Sequence, residues 1–363
     1  MLWLLIIPFV IYSAIILRIA FYLKDVKPFQ KKVDNAEIKV SVIVACRDEE
    51  NNLPELLSCL SKQDYPQDFF EVIIVDDNST DSTFNLANKF DGIKNLRVIR
   101  NSGTGKKFAI KKGVEVSSSE LILTTDADCR MGTRWLSSVV SFYNHEKPEM
   151  IIAPVNLSKL NDGLLNSFQV IEWQALQGIT AGTAARGNPV MCNGANLGFK
   201  KYTFLSHSYG LKYNLVSGDD IFLLQTLKKE KKSNIRWLES NEAVVTTPAA
   251  PTLMHLLMQR ARWISKAGFY KDPYIIIIAL VTFCTNIELL GLYLACILNP
   301  TLAFILISGF VIKSASDFAL IKETIRKSFK PVKSKYFFVS EILYPLYVLI
   351  VSLKTLTIKK RWK

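Results

Sequence analysis

Leu121-Ile122-Leu123-Thr124-Thr125-Asp126-Ala127-Asp128-Cys129 is an apolar run that ends in two carboxylates. Read as a strand, it alternates its side chains between faces, so Asp126 and Asp128 project to one side where the strand stops. Two carboxylates so placed suit one shared divalent cation. A solvated turn after a strand would use the same residues, because Asp is a common turn former. Their surroundings in the chain bear on the choice.

Between residues 38 and 156 short β-branched runs alternate with amphipathic segments. Residues 39–46, 72–75, 96–99 and 121–125 read as strands. Leu53, Leu56, Leu57 and Leu60 recur at helical spacing, and Thr80-Asp81-Ser82 reads as a helix start. Such alternation predicts an α/β fold, a largely parallel Rossmann-like sheet with helices on both faces. Ligands of such sheets sit beyond the carboxyl ends of the strands.

Three of those strand ends carry Arg47-Asp48-Glu49-Glu50, Asp76-Asp77-Asn78-Ser79-Thr80-Asp81 and Asp126-Ala127-Asp128. They fall on the one rim where a ligand is expected. Gly103-Thr104-Gly105-Lys106-Lys107 opens the next helix, where free backbone N–H groups and lysines suit a phosphate. It is not a P-loop, because position 100 is Arg and Lys107 stands where Ser or Thr is required. The run from Asp76 to Asp81 lacks the glycine of a calcium loop.

Farther on, Phe168, Ile171, Trp173 and Leu176 suggest an amphipathic helix. Residues 178–198 are rich in Gly, Ala and Asn, a composition that fits either a loop approaching a ligand or plain flexibility. Gly218-Asp219-Asp220 precedes an apolar helix, where an acid pair also serves as an ordinary N-terminal cap.

The 363 residues are 49% apolar and carry a net charge of +13. That charge points to anionic lipid or phosphates as partners. Six cysteines without Cys-x-x-Cys spacing and three histidines predict reduced thiols and no zinc site. Residues 2–23 form an apolar stretch long enough to cross a bilayer, followed by Lys24, Lys27, Lys31 and Lys32. Basic residues after the run argue against a signal peptide and place the following chain in the cytoplasm. Residues 253–270 mix Leu253, Leu256, Leu257, Trp263 and Phe269 with His255, Arg260, Arg262 and Lys266, the pattern of a helix lying in the membrane surface. Three further spans are expected at 274–298, 301–312 and 336–353, with a basic loop at 313–335. Counting then puts the tail Lys359-Lys360-Arg361-Trp362-Lys363 on the outer side, against the positive-inside tendency. The expected organisation is a transmembrane helix at 1–24, a globular domain at 36–250, an interfacial helix at 251–272 and a C-terminal membrane region of about three spans at 273–357. Because many basic residues flank the apolar spans, lipid accounts for the charge, and nucleic acid is not expected as a partner.

Asp76-Asp77-x-Ser79-x-Asp81, Gly105-Lys106-x-x-Ala109, Asp126-x-Asp128, Gly218-Asp219-Asp220 and Gln259-Arg260-Ala261-Arg262-Trp263 together resemble the family-2 membrane glycosyltransferases, among them cellulose synthase, hyaluronan synthase and ceramide glucosyltransferase. The likeness runs from about residue 40 to 263. Family members more often have Glu-Asp where this chain has Asp219-Asp220. The resemblance implies a GT-A domain and an inverting, metal-dependent hexosyltransferase that moves a sugar from a UDP-sugar donor to a lipid or glycan acceptor. It makes Asp128, assisted by Asp126, the ligand of Mg²⁺ or Mn²⁺, and places Arg47, Glu49, Asp76, Asp77, Lys106, Asp126 and Arg262 around the nucleotide sugar. Asp220 takes the part of general base beside Asp219. Asn193, Asn196, Gln259, Arg260 and Trp263 fall to the acceptor, although Trp263 also suits an interfacial anchor. Two other readings stand beside the lipid-directed enzyme: a processive polysaccharide synthase, and a non-catalytic membrane assembly subunit that retains the fold. The expected location is an inner or plasma membrane, multi-pass, with the catalytic domain cytoplasmic. No protein partner is named by these residues.

Overall fold

The computed structural model describes residues 2–30, 38–158, 162–213, 215, 217–230, 234–327 and 334–357. Lys31, Lys32 and the basic tail at 359–363 lie outside them. The chain divides into two compact units. Of the described residues, one comprises those within 2–26, 162–186 and 249–357, and the other those within 27–158 and 187–248.

In chain order the elements are α1 (Ile7–Lys24), β1 (Val40–Cys46), α2 (Leu53–Ser61), β2 (Phe70–Asp76), α3 (Thr83–Lys89), β3 (Leu96–Arg100), α4 (Lys106–Val116), β4 (Leu121–Asp126), β5 (Arg130–Met131) and α5 (Trp135–Glu146). There follow β6 (Met150–Ile152), β7 (Val155–Leu157), α6 (Leu164–Ala184), β8 (Leu197–Lys200), α7 (Lys201–His207), α8 (Asp219–Lys229), β9 (Ile235–Trp237) and β10 (Val245–Thr247). The chain closes with α9 (Leu253–Ile264), α10 (Pro273–Leu298), α11 (Ala303–Ile325) and α12 (Ser334–Thr357).

The globular unit is built on a seven-stranded sheet of order β3-β2-β1-β4-β8-β6-β9. Every residue of β1 and β2 is buried, as expected of strands covered on both faces. Helix α4 lies so close to β1 that a methyl at Gly113 would stand 2.5 Å from the Ile43 side chain. The first four strands are mutually parallel. β8 then runs antiparallel to both β4 and β6, a reversal that the strand rhythm did not disclose. Register places Asp126 beside Ala45, and Cys46 beside Asp76, which in turn pairs with Arg100. The carboxyl ends of four parallel strands therefore stop in one row. β5, β10 and β7 form a separate three-stranded sheet.

In the other unit, the segments Trp3–Lys24, Pro273–Leu298, Pro300–Ile325 and Tyr336–Thr357 are each long and apolar enough to cross a membrane. The sequence placed a basic loop from residue 313 onward, but α11 continues to Ile325. Lys313 is buried inside the unit, with its ammonium 2.7 Å from both Asp317 and Glu341. The Tyr12 hydroxyl donates to Asp317 at 2.7 Å. A lysine one helical turn from an acid is neutralised on its own helix face, and Glu341 of α12 adds a second partner, so its charge marks no loop.

Helix α6 falls within the range expected for the globular domain yet groups with the apolar helices. Gly178 and Gly182, read as the start of a small-residue loop, are helical and serve close packing. An added methyl at Gly178 would stand 2.1 Å from Thr324 Oγ1, and one at Gly182 would stand 2.7 Å from the Ile19 carbonyl oxygen. On α9, Leu256, Leu257 and Ala261 pack with Phe168, Tyr347 and Val351, whereas Leu253, Met254, Met258 and Ile264 are exposed.

Candidate active site at the carboxyl rim of the sheet

Strand order reverses at β1, whose neighbours β2 and β4 leave the chain in opposite directions across the sheet. A crevice for a ligand is expected outside the carboxyl ends at such a switch point. The loops that line this rim are fastened to one another by their own acids. Asp48 accepts from the Thr80 N–H at 2.7 Å, Glu50 accepts from the Ser82 N–H at 2.9 Å, and Asp81 accepts from the Glu50 N–H at 3.1 Å. The Glu49 N–H donates to Thr83 Oγ1 at 2.7 Å, and the buried Glu49 carboxylate accepts from Asn52.

Asp76 and Asp77 are both fully buried but differ in what they meet. Asp77 holds the glycine turn that opens α4: both of its oxygens lie 2.9 Å from the Gly105 N–H, and Asn101 donates to it as well. Gly105 has φ of 102°, a conformation that a residue with a side chain rarely adopts. Asp76 Oδ2 accepts from the Ser79 N–H at 3.3 Å, while its Oδ1 meets no donor among the described residues. A buried acceptor left unmet calls for an explanation, and a ligand donor is one. Arg47 reaches to within 3.9 Å of Asp77, and its buried Nε, 3.7 Å from Asp48, makes no hydrogen bond among the described residues.

The centre of the rim is a lysine among carboxylates. Lys106, the first residue of α4, ion-pairs with Asp126 at the end of β4. An ideal Cβ built on Gly194 would lie 3.6 Å from Asp219 Oδ2, 3.7 Å from Lys106 Nζ and 3.8 Å from Asp220 Cβ, so these four residues share one small space. Burial alone would lower the Lys106 pKa, but Asp126, Asp219 and Asp220 outweigh it and hold the ammonium above its ordinary value. Burial raises the Asp219 carboxyl above the usual carboxylate range, against the pull of Lys106 and with the push of Asp220.

Asp219 and Asp220 form the first turn of α8, entered through Gly218 at φ 94°. As a cap the pair does little: Asp220 Oδ1 accepts from the adjoining Ile221 N–H at 2.7 Å, but its other oxygen turns to the Gly194 N–H at 3.1 Å. The Gly194 carbonyl in turn accepts from Thr124 Oγ1 of β4 at 2.8 Å. Gly194 and Thr124 thus tie the acid pair to the strand that carries Asp126. The sequence reading had Gly194 lining the acceptor pocket with Asn193, Ala195 and Asn196 and did not foresee its tie to the acid pair; it gave Thr124 no role.

Asp128 differs from its sequence reading. β4 ends at Asp126, and Asp128 sits on a turn closed by the Cys129 N–H donating to the Asp126 carbonyl at 3.0 Å, so strand alternation does not set its direction. Asp126 and Asp128 are both partly exposed. Among the described residues no three or more His, Cys, Asp or Glu side chains gather as a metal cage. That donor set fits Mg²⁺ or Mn²⁺, which use one or two carboxylates and take the remaining ligands from water and phosphate.

Two residues expected at the acceptor are engaged inside the protein. Asn196 is 2% exposed; it accepts from the Trp135 indole N–H at 3.0 Å and donates to the Pro154 and Ala243 carbonyls at 2.8 Å each. Arg260 is 4% exposed and donates twice to Glu172, at 3.0 and 2.8 Å, while Tyr347 donates to the same carboxylate at 2.7 Å. Its guanidinium lies 4.3 Å from the centre of the Trp263 ring. Gln259 accepts from Arg260, and Trp263 packs 5.9 Å from Trp173. Arg262 and Trp263 are partly exposed, and Asn193 accepts from the Ala195 N–H at 3.0 Å.

The profile of glycosyl transferase family 2 matches residues 41–204. Beta-monoglucosyldiacylglycerol synthase of Nostoc sp. is 33% identical over 123 residues, which cover 33% of this chain and 26% of that one. Poly(ribitol-phosphate) beta-N-acetylglucosaminyltransferase TarS of Staphylococcus aureus is 31% identical over 119 residues, 32% of this chain and 20% of that one. The chain thus spans about a quarter or less of the length of these curated relatives. Among solved structures, the mannosyltransferase PcManGT of Pyrobaculum calidifontis, in complex with GDP-Man and Mn²⁺, superposes with a TM-score of 0.59 over 97% of this chain and 99% of that one, at 17% identity, a likeness of fold. With the parallel core, its antiparallel β8 and the acidic rim described above, residues 41–204 are a family-2 glycosyltransferase domain of GT-A fold.

Proposed function

We propose that the chain is a membrane-bound, inverting glycosyltransferase that moves one sugar from a UDP-sugar to a lipid acceptor. The observation that carries this reading is the gathering of Lys106, Asp126, Asp219 and Asp220, distant in sequence, at the rim where the strand order reverses. The names of the relatives describe a glucosylated diacylglycerol and a glycosylated poly(ribitol-phosphate), and the four apolar helices favour the lipid over a soluble acceptor. Lys24 and Lys27 after the first apolar helix favour a cytoplasmic globular unit.

In this mechanism the unmet Asp76 Oδ1 accepts a hydrogen bond from the nucleoside, and Arg47 flanks it. Asp77 serves the donor indirectly by holding the Gly103 to Gly105 turn. Lys106 turns from Asp126 toward the diphosphate, whose charge its ammonium offsets. Asp126 and Asp128 would hold a divalent cation, and when bound it would offset the charge on the leaving diphosphate. Asp220, fixed by the Gly194 N–H, takes the proton of the acceptor hydroxyl as its oxygen bonds to the anomeric carbon and the bond to UDP breaks. One displacement inverts that carbon.

The test is purified protein in lipid with a panel of UDP-sugars, Mg²⁺ or Mn²⁺ and a lipid extract, with product counted by mass. The reading expects a single added sugar, no turnover by Asp220→Asn with UDP binding retained, and loss of metal-dependent UDP binding by Asp128→Ala. Normal turnover by Asp220→Asn would remove the base, and a ladder of products would replace the single-transfer reading with a processive one.

A further inference from the structure

The first turn of α4 carries two lysines in succession, and they do opposite things. Lys106 faces the carboxylates. Lys107 is 2% exposed and donates to the carbonyls of Leu211 at 2.6 Å and Lys212 at 2.8 Å, with its ammonium 5.0 Å from the centre of the Phe222 ring. A buried ammonium costs free energy unless its N–H groups are met, and a hydrocarbon side chain of similar length would fill the same space without that cost. What lysine adds is a grip on backbone carbonyls.

Those carbonyls belong to the segment that leads into α8 and its acid pair. The segment is clasped between two helices: Tyr213 packs 4.9 Å from Phe108 of α4, and an ideal Cβ on Gly210 would come 2.1 Å from Thr226 Oγ1 of α8. Lys212 takes a left-handed conformation, φ 52°, which a residue with a side chain holds only when its surroundings fix it. We propose that Lys107 is a positioning residue for the reaction, holding the Leu211-Lys212 turn so that the first turn of α8 presents Asp220 to the Gly194 N–H. The same helical turn then sets both partners of the site, the donor's lysine directly and the base through the segment before it. This inference rests on the reading of Asp220 as the base.

The test compares Lys107→Met and Lys107→Arg with wild type in the UDP-sugar assay, alongside UDP binding and hydrogen exchange of residues 208–213. Lys107→Met is expected to lower kcat by on the order of 10- to 100-fold, as misplacing a catalytic group does. UDP affinity and the donor KM should stay within about twofold, because Lys106 and Asp76 are untouched. Exchange at 208–213 should rise, and Lys107→Arg should restore part of kcat. If Lys107→Met does not fold, Lys107→Gln, which keeps one donor, replaces it with the same expectations. Wild-type kcat in the variant, or equal losses in kcat and UDP affinity, would overturn the proposal. Asp220→Asn run in parallel separates the two claims: its normal turnover removes the base, whereas a dead Asp220→Asn beside an unimpaired Lys107→Met removes only the role of Lys107.

Discussion

Asn196→Ala separates a structural amide from a substrate contact. The side chain joins α5, the link between β6 and β7 and the turn before β10 through one accepted and two donated bonds, all at 2.8 to 3.0 Å and all away from water. Three buried bonds are worth about 1 kcal/mol each in net terms, and the Trp135 indole N–H left without an acceptor adds about 1–3 kcal/mol. The sum is a loss of roughly 4–6 kcal/mol from the globular unit, or about 8–24 °C in its midpoint at 2–4 °C per kcal/mol for a domain of this size. The assay is thermal unfolding followed by intrinsic fluorescence, with steady-state kinetics measured well below the new midpoint. There, the acceptor KM should match wild type. An unchanged midpoint with a raised acceptor KM would refute this reasoning and return Asn196 to the acceptor site.

Glu172→Gln leaves the Arg260 guanidinium buried against a neutral amide, and removing one partner of such a pair costs about 3–5 kcal/mol, measurable as a lower melting temperature in detergent. Tyr347→Phe removes only one hydrogen bond to the same carboxylate and should cost about 1–2 kcal/mol on the same assay. Gly182→Ala should destabilise the packing of α6 on α1 by about 1–3 kcal/mol, because the methyl meets the Ile19 carbonyl; an unchanged melting temperature would mean that the helices part freely. Burial of His207 opposes its charging, but Glu230 and the Thr203 carbonyl prevail and raise its pKa. A raised value in the folded state means that this contribution is complete below the unfolded pKa near 6.5 and fades as pH climbs through the folded one, so melting curves of His207→Gln should approach wild type at higher pH.

The parallel half of the sheet was legible because β1, β2 and β4 are runs of β-branched and aliphatic residues bounded by polar turns. Leu53, Leu56, Leu57 and Leu60 likewise announced α2, and all four are buried. β5 to β10 are two to four residues long, too short for periodicity to register, so the reversal at β8 left no mark. The residues themselves placed Lys106 and Asp126 near a ligand rim and the family resemblance added Asp220, but neither could say which acids were already engaged. Asp77, Glu49, Asn196 and Arg260 look the same in a string of letters whether they face a ligand or another loop. The glycines at 178 and 182 failed for a related reason: small residues signal closeness without saying to what.

The charged trio of Lys313, Asp317 and Glu341 bears on how the protein is made. Helix α11 leaves the ribosome with its lysine and aspartate already matched on one face, so it can enter an apolar phase as a neutral body. Helix α12 brings a carboxylate with no counterpart of its own, and Tyr12 arrives some three hundred residues earlier on α1. If these helices enter a bilayer in chain order, the acid of α12 meets its lysine only once α11 is in place.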